Sequence, residues 1–122
     1  MSDDIESLVE EPPQQEQRRF VRRDVKWKAA IKDKEKNAVI HALTINVSEQ
    51  GVLIATNEGF KKLQLIPLMI QARIQDKKLV VYTMAEVRHV VVKTDSFQLG
   101  LLFKQIQKKD QQFFAKFAEG LI

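Results

Sequence analysis

The sequence predicts an all-β fold, a six-stranded antiparallel barrel with one C-terminal α-helix, and three observations lead there. Residues 25–104 read mostly as β, with a clear apolar–polar alternation from Val25 to Lys32 and short apolar or β-branched runs after it. Short turn-rich or charged stretches separate these segments at regular intervals. Only the last dozen residues carry apolar positions at three- and four-residue spacing. Six or so short strands in series followed by one amphipathic helix fit a barrel with the helix packed over an opening.

The elements follow in order. Residues 1–16 read as a flexible acidic tail: six carboxylates (Asp3, Asp4, Glu6, Glu10, Glu11, Glu16), no lysine or arginine, the Pro12-Pro13 pair and a glutamine-rich stretch. Ile5, Leu8 and Val9 have roughly helical spacing, compatible with a short docked helix. Residues 17–122 form the barrel domain. Val25, Trp27, Ala29 and Ile31 alternate with lysines and Ala30 as a first strand, with Trp27 in the apolar phase. Asp33 to Asn37 reads as a hairpin turn, Ala38 to Ile45 as the second strand and Val52 to Thr56 as the third. Leu65 to Ile74 is the fourth, where Pro67, lacking a backbone donor, argues for an edge or a bulge. After a turn at Asp76-Lys77-Lys78, the run Leu79 to Val92 is too long for a flat strand and should be bulged. Phe97 to Lys104 is the last strand. Asp110 is placed to cap a helix carrying Phe113, Phe114, Phe117, Ala118 and Leu121, with Gly120 near its end.

Charge sharpens the picture. The net charge of +4 conceals an acidic tail ahead of a body in which twenty bases face ten acids, a net of +10 that favours anionic partners. There is no cysteine, so no disulfide framework and no cysteine zinc site are expected. His41 and His89 are far apart with no ligand spacing around them, which argues against a metal. No apolar run reaches a membrane-spanning length and the N-terminus is acidic rather than signal-like, so a cytoplasmic protein is expected. Ser48 has no activating base in sequence reach and no phosphate-binding glycine loop is present, so the reading is a binding protein and not an enzyme.

Two local signals carry binding chemistry. Arg18-Arg19-Phe20-Val21-Arg22-Arg23 concentrates four guanidiniums at the tail–barrel junction, and a guanidinium can fork onto a phosphate or onto the O6/N7 edge of guanine. Asn46-Val47-Ser48-Glu49-Gln50-Gly51 places short hydrogen-bonding side chains and a glycine between two strands. Taken together and in this order, an Arg-x-x-x-Arg ahead of the first strand and an Asn-x-Ser-x-x-Gly after the second resemble the paired signature of the PilZ family. Val87-Arg88-His89-Val90 and Leu99-Gly100-Leu101-Leu102-Phe103 are similar to that family's last two strands, so the resemblance runs from residue 17 to about 119.

The resemblance implies a barrel that binds the second messenger cyclic di-GMP on its outer face and passes the signal to a protein partner. It implies ligand contacts from Arg18, Arg19 and Arg22 to phosphates and guanine edges, and from Asn46 and Ser48 to a guanine, with Gly51 keeping the surface clear for the base. Gln17, Arg23 and His89 are further candidates, His89 standing where relatives carry a stacking Trp or Arg. The neutral Gln17 leaves open whether one ligand or a pair is held. The arginines lie on a hinge between tail and barrel, so a ligand touching both is expected to pin that hinge. Two alternatives remain: a PilZ-like adaptor that binds no nucleotide, and a small basic barrel for single-stranded nucleic acid, against which the scarcity of exposed aromatics argues.

Overall fold

The structure, a computed structural model, describes residues 20–122. The expected tail, and with it Gln17, Arg18 and Arg19, lies outside the described residues. Seven strands and a helix follow in order: β1 (Arg23–Asp24), β2 (Lys28–Asp33), β3 (Ala38–Val47), β4 (Gly51–Thr56), β5 (Leu65–Ile74), β6 (Lys77–Val92), β7 (Phe97–Ile106) and α1 (Lys108–Ala118). All pairings are antiparallel. The sheet runs β1-β3-β2-β5-β6-β7-β4, and a further pairing of β3 with β4 closes β2–β7 into a six-stranded barrel, leaving the two-residue β1 as an appendage on β3.

Alternation decides what fills the barrel. Ile31, Ile54, Ile66, Ile70, Val81, Val87 and Leu99 all point inward and are almost fully buried. β5 shows the pattern most cleanly: its bounds match the sequence reading, and Ile66, Leu68, Ile70 and Ala72 are its buried residues. It is not an edge strand, because β2 flanks it on one side and β6 on the other. Pro67 is tolerated because the β2 pairing stops at Ile31↔Leu68, one residue short of it. The following turn is tighter than the sequence suggested. Ile74 pairs with Lys77, so Lys77 and Lys78 belong to β6, and Gln75 adopts a left-handed φ of 55° in the two-residue loop.

The helix closes the core. Phe114 is fully buried and stacks on Phe103 at 5.3 Å, while Phe117 lies 4.7 Å from Trp27. The Trp27 indole N–H is satisfied by the Arg73 carbonyl at 3.1 Å, so this buried ring carries no unpaired donor. Asp110 is not the cap. The helix begins two residues before it after Gln107, and Asp110 sits buried in the first turn, where a carboxylate complements the helix dipole. The C-terminus is a Schellman turn: Gly120, with φ 79°, donates to the Phe117 carbonyl and Leu121 to that of Lys116, which leaves Leu121 outside the helix and exposed.

Two bulges reset the alternation where it matters for the surface. In β3, Thr44 pairs with Ile54 but Asn46 with Leu53, so Ile45 is an extra residue. Ala42 and Thr44 face inward before the bulge and Val47 after it, which turns Asn46 to the outside. In β6, Val87 pairs with Leu101 but His89 with Gly100, so Arg88 is the extra residue. Arg88 and His89 are consequently both exposed instead of alternating.

Candidate functional site

A groove of about 490 Å³ crosses the outer wall of the barrel over β3, β4, β7 and β6. Its floor is apolar and shallow. Leu53 and Gly100 are cross-strand partners there, and Leu102 lies opposite Gly51. Phe20, Arg22 and Asn46 border one part of the groove, and Arg88 and His89 another. No carboxylate stands among its described lining residues. Glu86 lies nearby, paired with the exposed Arg88 at 3.5 Å, a surface ion pair that leaves Arg88 reorientable.

Each flank is positioned by one of the bulges. Without the extra Ile45, Asn46 would occupy the interior position that Val47 takes; without the extra Arg88, His89 would turn toward the core. Gly100 makes room for the histidine ring, since a Cβ at that position would stand 3.3 Å from both Cβ and Cδ2 of His89. The imidazole thus lies against the one position of β7 that carries no side chain.

The turn between β3 and β4 is built differently from what its residues suggested. The Ser48 hydroxyl is buried and accepts hydrogen bonds from the backbone N–H groups of Gln50 and Gly51, both at 3.2 Å, while its own N–H bonds the Gly51 carbonyl. Ser48 therefore holds the turn from within. Two further bonds anchor that turn: the Gln50 carbonyl accepts from the Phe103 N–H, and the Glu49 carbonyl from Gln111 Nε2 of α1 at 3.1 Å. Gly51 does not have a positive φ. A Cβ there would overlap the Leu101 carbonyl oxygen, so the close approach of β4 to β7 accounts for the glycine.

The sequence candidates thus divide. Arg22, Asn46, Ser48, Gly51 and His89, from three distant segments, meet at one groove. Arg23 does not join them. Its guanidinium bonds the main-chain oxygens of Phe117 and Ile122, both at 2.9 Å, and sits 4.1 Å from the Phe117 ring centroid, tying β1 to the helix. Arg88 is the residue the sequence reading passed over, and the bulge that exposes it has no signature in the local alternation. His41 lines a separate shallow groove with Lys28, Leu43 and Met69. Among the described residues no cluster of three potential metal ligands occurs, and no helix is long and apolar enough to cross a membrane.

Comparison with known proteins agrees with this architecture. Curated protein sequences give no significant match. Among solved structures, the Bacillus subtilis inhibitor of motility (MotI/DgrA) is similar with a TM-score of 0.74 and 22% identity, over 84% of this chain and 49% of that one. Escherichia coli YcgR in complex with c-di-GMP is similar with a TM-score of 0.69 and 10% identity, over 84% of this chain and 45% of YcgR. The isolated PilZ domain of YcgR with c-di-GMP gives 0.65 at 10% identity, over 84% and 89% of the two chains. The chain therefore spans about half the length of the first two structures and nearly all of the isolated domain. The sequence model of the PilZ domain matches residues 16–120, so the chain belongs to the PilZ domain family.

Proposed function

We propose that this protein is a receptor for cyclic di-GMP, held in the groove between Arg22 and Asn46 on one flank and Arg88 and His89 on the other. The observation that carries the reading is that groove: guanidiniums on two flanks of an apolar floor, on a barrel of the PilZ family. A cyclic dinucleotide offers two phosphates to the arginines and two flat purines to the floor and the imidazole, and the volume is that of a small-ligand site. The similar barrel of YcgR carries the same ligand. Arg22 forks onto a phosphate or a guanine edge, and the Asn46 amide reads a guanine. Ser48 and Gly51 act one step back, by shaping the turn that presents Asn46. Arg18 and Arg19, two residues and one before Phe20 of the groove wall, supply further guanidiniums. Ligand capture between this junction and the rigid wall changes the surface offered to a protein partner.

Calorimetric titration with cyclic di-GMP, GTP, GMP and cyclic AMP tests this. The expected result is binding of the cyclic dinucleotide alone, at micromolar affinity or tighter, about −8 kcal/mol or more. No heat at millimolar ligand would leave the barrel as an adaptor working through protein contacts alone. Salt-sensitive binding of a labelled single-stranded oligonucleotide, with no response to the dinucleotide, would replace the reading by a nucleic-acid one.

A further inference from the structure

Among the described residues, one of the unpaired strand sides of the barrel lies beside the groove, at the end of β6. β5 flanks β6 only as far as Leu65↔Glu86, and two bonds from the preceding connection, Leu63 N–H to the Val87 carbonyl and Val87 N–H to that of Gln64, extend the cover by one residue. Beyond Val87 no strand among the described residues lies beside β6, which runs on to Val92 paired with β7 alone. The Lys93 N–H bonds the Ser96 carbonyl, so the antiparallel alternation turns the N–H and C=O groups of Val90 and Val92 to the open side. Three successive valines are exposed there, Val92 at 71%, with Leu63 and Leu65 exposed close by. Proteins normally blunt such an edge, because it is a template for another strand.

The surroundings specify an occupant. Arg88, His89 and Lys93 lie on the edge itself, and Lys61 and Lys62 belong to the connection that ends at Leu63. A second copy paired edge to edge would set these cations against themselves. An acidic segment with apolar residues at its centre would meet complementary charge, and this chain carries one. In extended form, Ile5, Ser7 and Val9 share one face between Asp3 and Glu11, while Asp4, Glu6, Leu8 and Glu10 share the other. Phe20 and Arg22 line the flank of the groove opposite Arg88 and His89, so the chain enters the described residues across the groove from the edge, three strand spacings or roughly 15 Å away. Eight residues lie between positions 11 and 20, and the nine steps reach up to about 30 Å. A tether of that length gives an effective concentration on the order of millimolar.

We infer that residues 3–11 add as an extra strand to the edge Arg88–Val92. Ile5 and Val9 then lie on the side of Val90 and Val92, and Asp4, Glu6 and Glu10 on the groove side with Arg88 and His89. These residues precede the part of the chain that the family's sequence model covers.

Two measurements test this, and neither uses a nucleotide, so their outcome is independent of the proposed ligand. Amide exchange at Val90 and Val92 is compared between the full chain and one lacking residues 1–16. Exchange at least about threefold slower in the full chain, with the difference shrinking in high salt, supports the pairing. The native sequence lacks cysteine, so a nitroxide on Asp95→Cys, in the turn after β6, reports on the tail without interference. It should broaden the amide resonances of residues 4–10, and Val92→Pro should abolish that broadening. The proline removes an outward N–H and none of the bonds to β7, and the dispersion of the barrel resonances shows that the variant is folded. Equal exchange in the two chains, protection that grows with protein concentration, or broadening that survives Val92→Pro each overturns the inference.

Discussion

Replacing Gly51 by alanine separates two explanations of the same glycine. The added methyl group would overlap the Leu101 carbonyl oxygen, and its next neighbours are the Leu101 carbonyl carbon at 3.1 Å and the Leu102 Cα at 3.3 Å. All three are backbone atoms, so no side-chain rotation relieves the clash. β4 and β7 must move apart at the Gly51↔Leu102 pair. Overpacking of this kind costs about 1–3 kcal/mol, and weakening one or two neighbouring ladder bonds adds about 1 kcal/mol, for roughly 2–4 kcal/mol in all. For a domain of this size that lowers Tm by roughly 10–15 °C. Thermal unfolding followed by circular dichroism and urea denaturation read it, the urea midpoint falling with an unchanged slope. If Gly51→Ala kept the parental Tm and lost only ligand affinity, the steric reasoning would be refuted and the glycine would be there to clear space for a base.

Arg22→Ala should weaken cyclic di-GMP binding by more than about 1.5 kcal/mol, roughly tenfold or more, and Arg22→Lys should restore only part, since an ammonium cannot fork; calorimetry decides both. Ser48→Ala leaves two backbone N–H groups of the turn without their acceptor, so it should cost about 1–3 kcal/mol of stability in urea while weakening the ligand less than Arg22→Ala does. Arg23→Ala should speed amide exchange in the last turn of α1 and leave ligand affinity within about twofold, because its contacts are to the helix. Phe114→Ala empties the centre of the aromatic cluster and should destabilise by about 3–5 kcal/mol.

The sequence was most legible where local pattern and long-range structure agree. β5 is a period-two strand buried along one face, so its bounds and its inward residues could be read directly. The length of the run ending at Val92 gave away a bulge, though not its position. What stayed hidden was set by distant partners. Carried forward from Ala42 and Thr44, the alternation puts Asn46 inside, and only the register against β4 turns it out. Arg88 joined the groove by the same device against β7. Arg23 was one of four similar arginines until the end of α1 came to meet it. Asp110 has the residue type of a cap, but the helix starts two residues earlier, at Lys108. Ser48 and Gly51 line the groove, while the hydroxyl's backbone partners and the crowding by β7 become visible only once the barrel closes.

The two neighbouring arginines give the short β1 a mechanical meaning. Side chains of successive extended residues leave the backbone on opposite sides, and here one reaches the groove while the next grips the end of α1. The two grips share a single peptide unit, which is stiff to twisting. Groove and helix end are therefore held by adjacent residues, Arg22 in the groove wall and Arg23 on the carbonyls of Phe117 and Ile122. The shortest covalent path from the groove to the end of α1 is thus one peptide bond and two side chains, with no strand of the barrel in between.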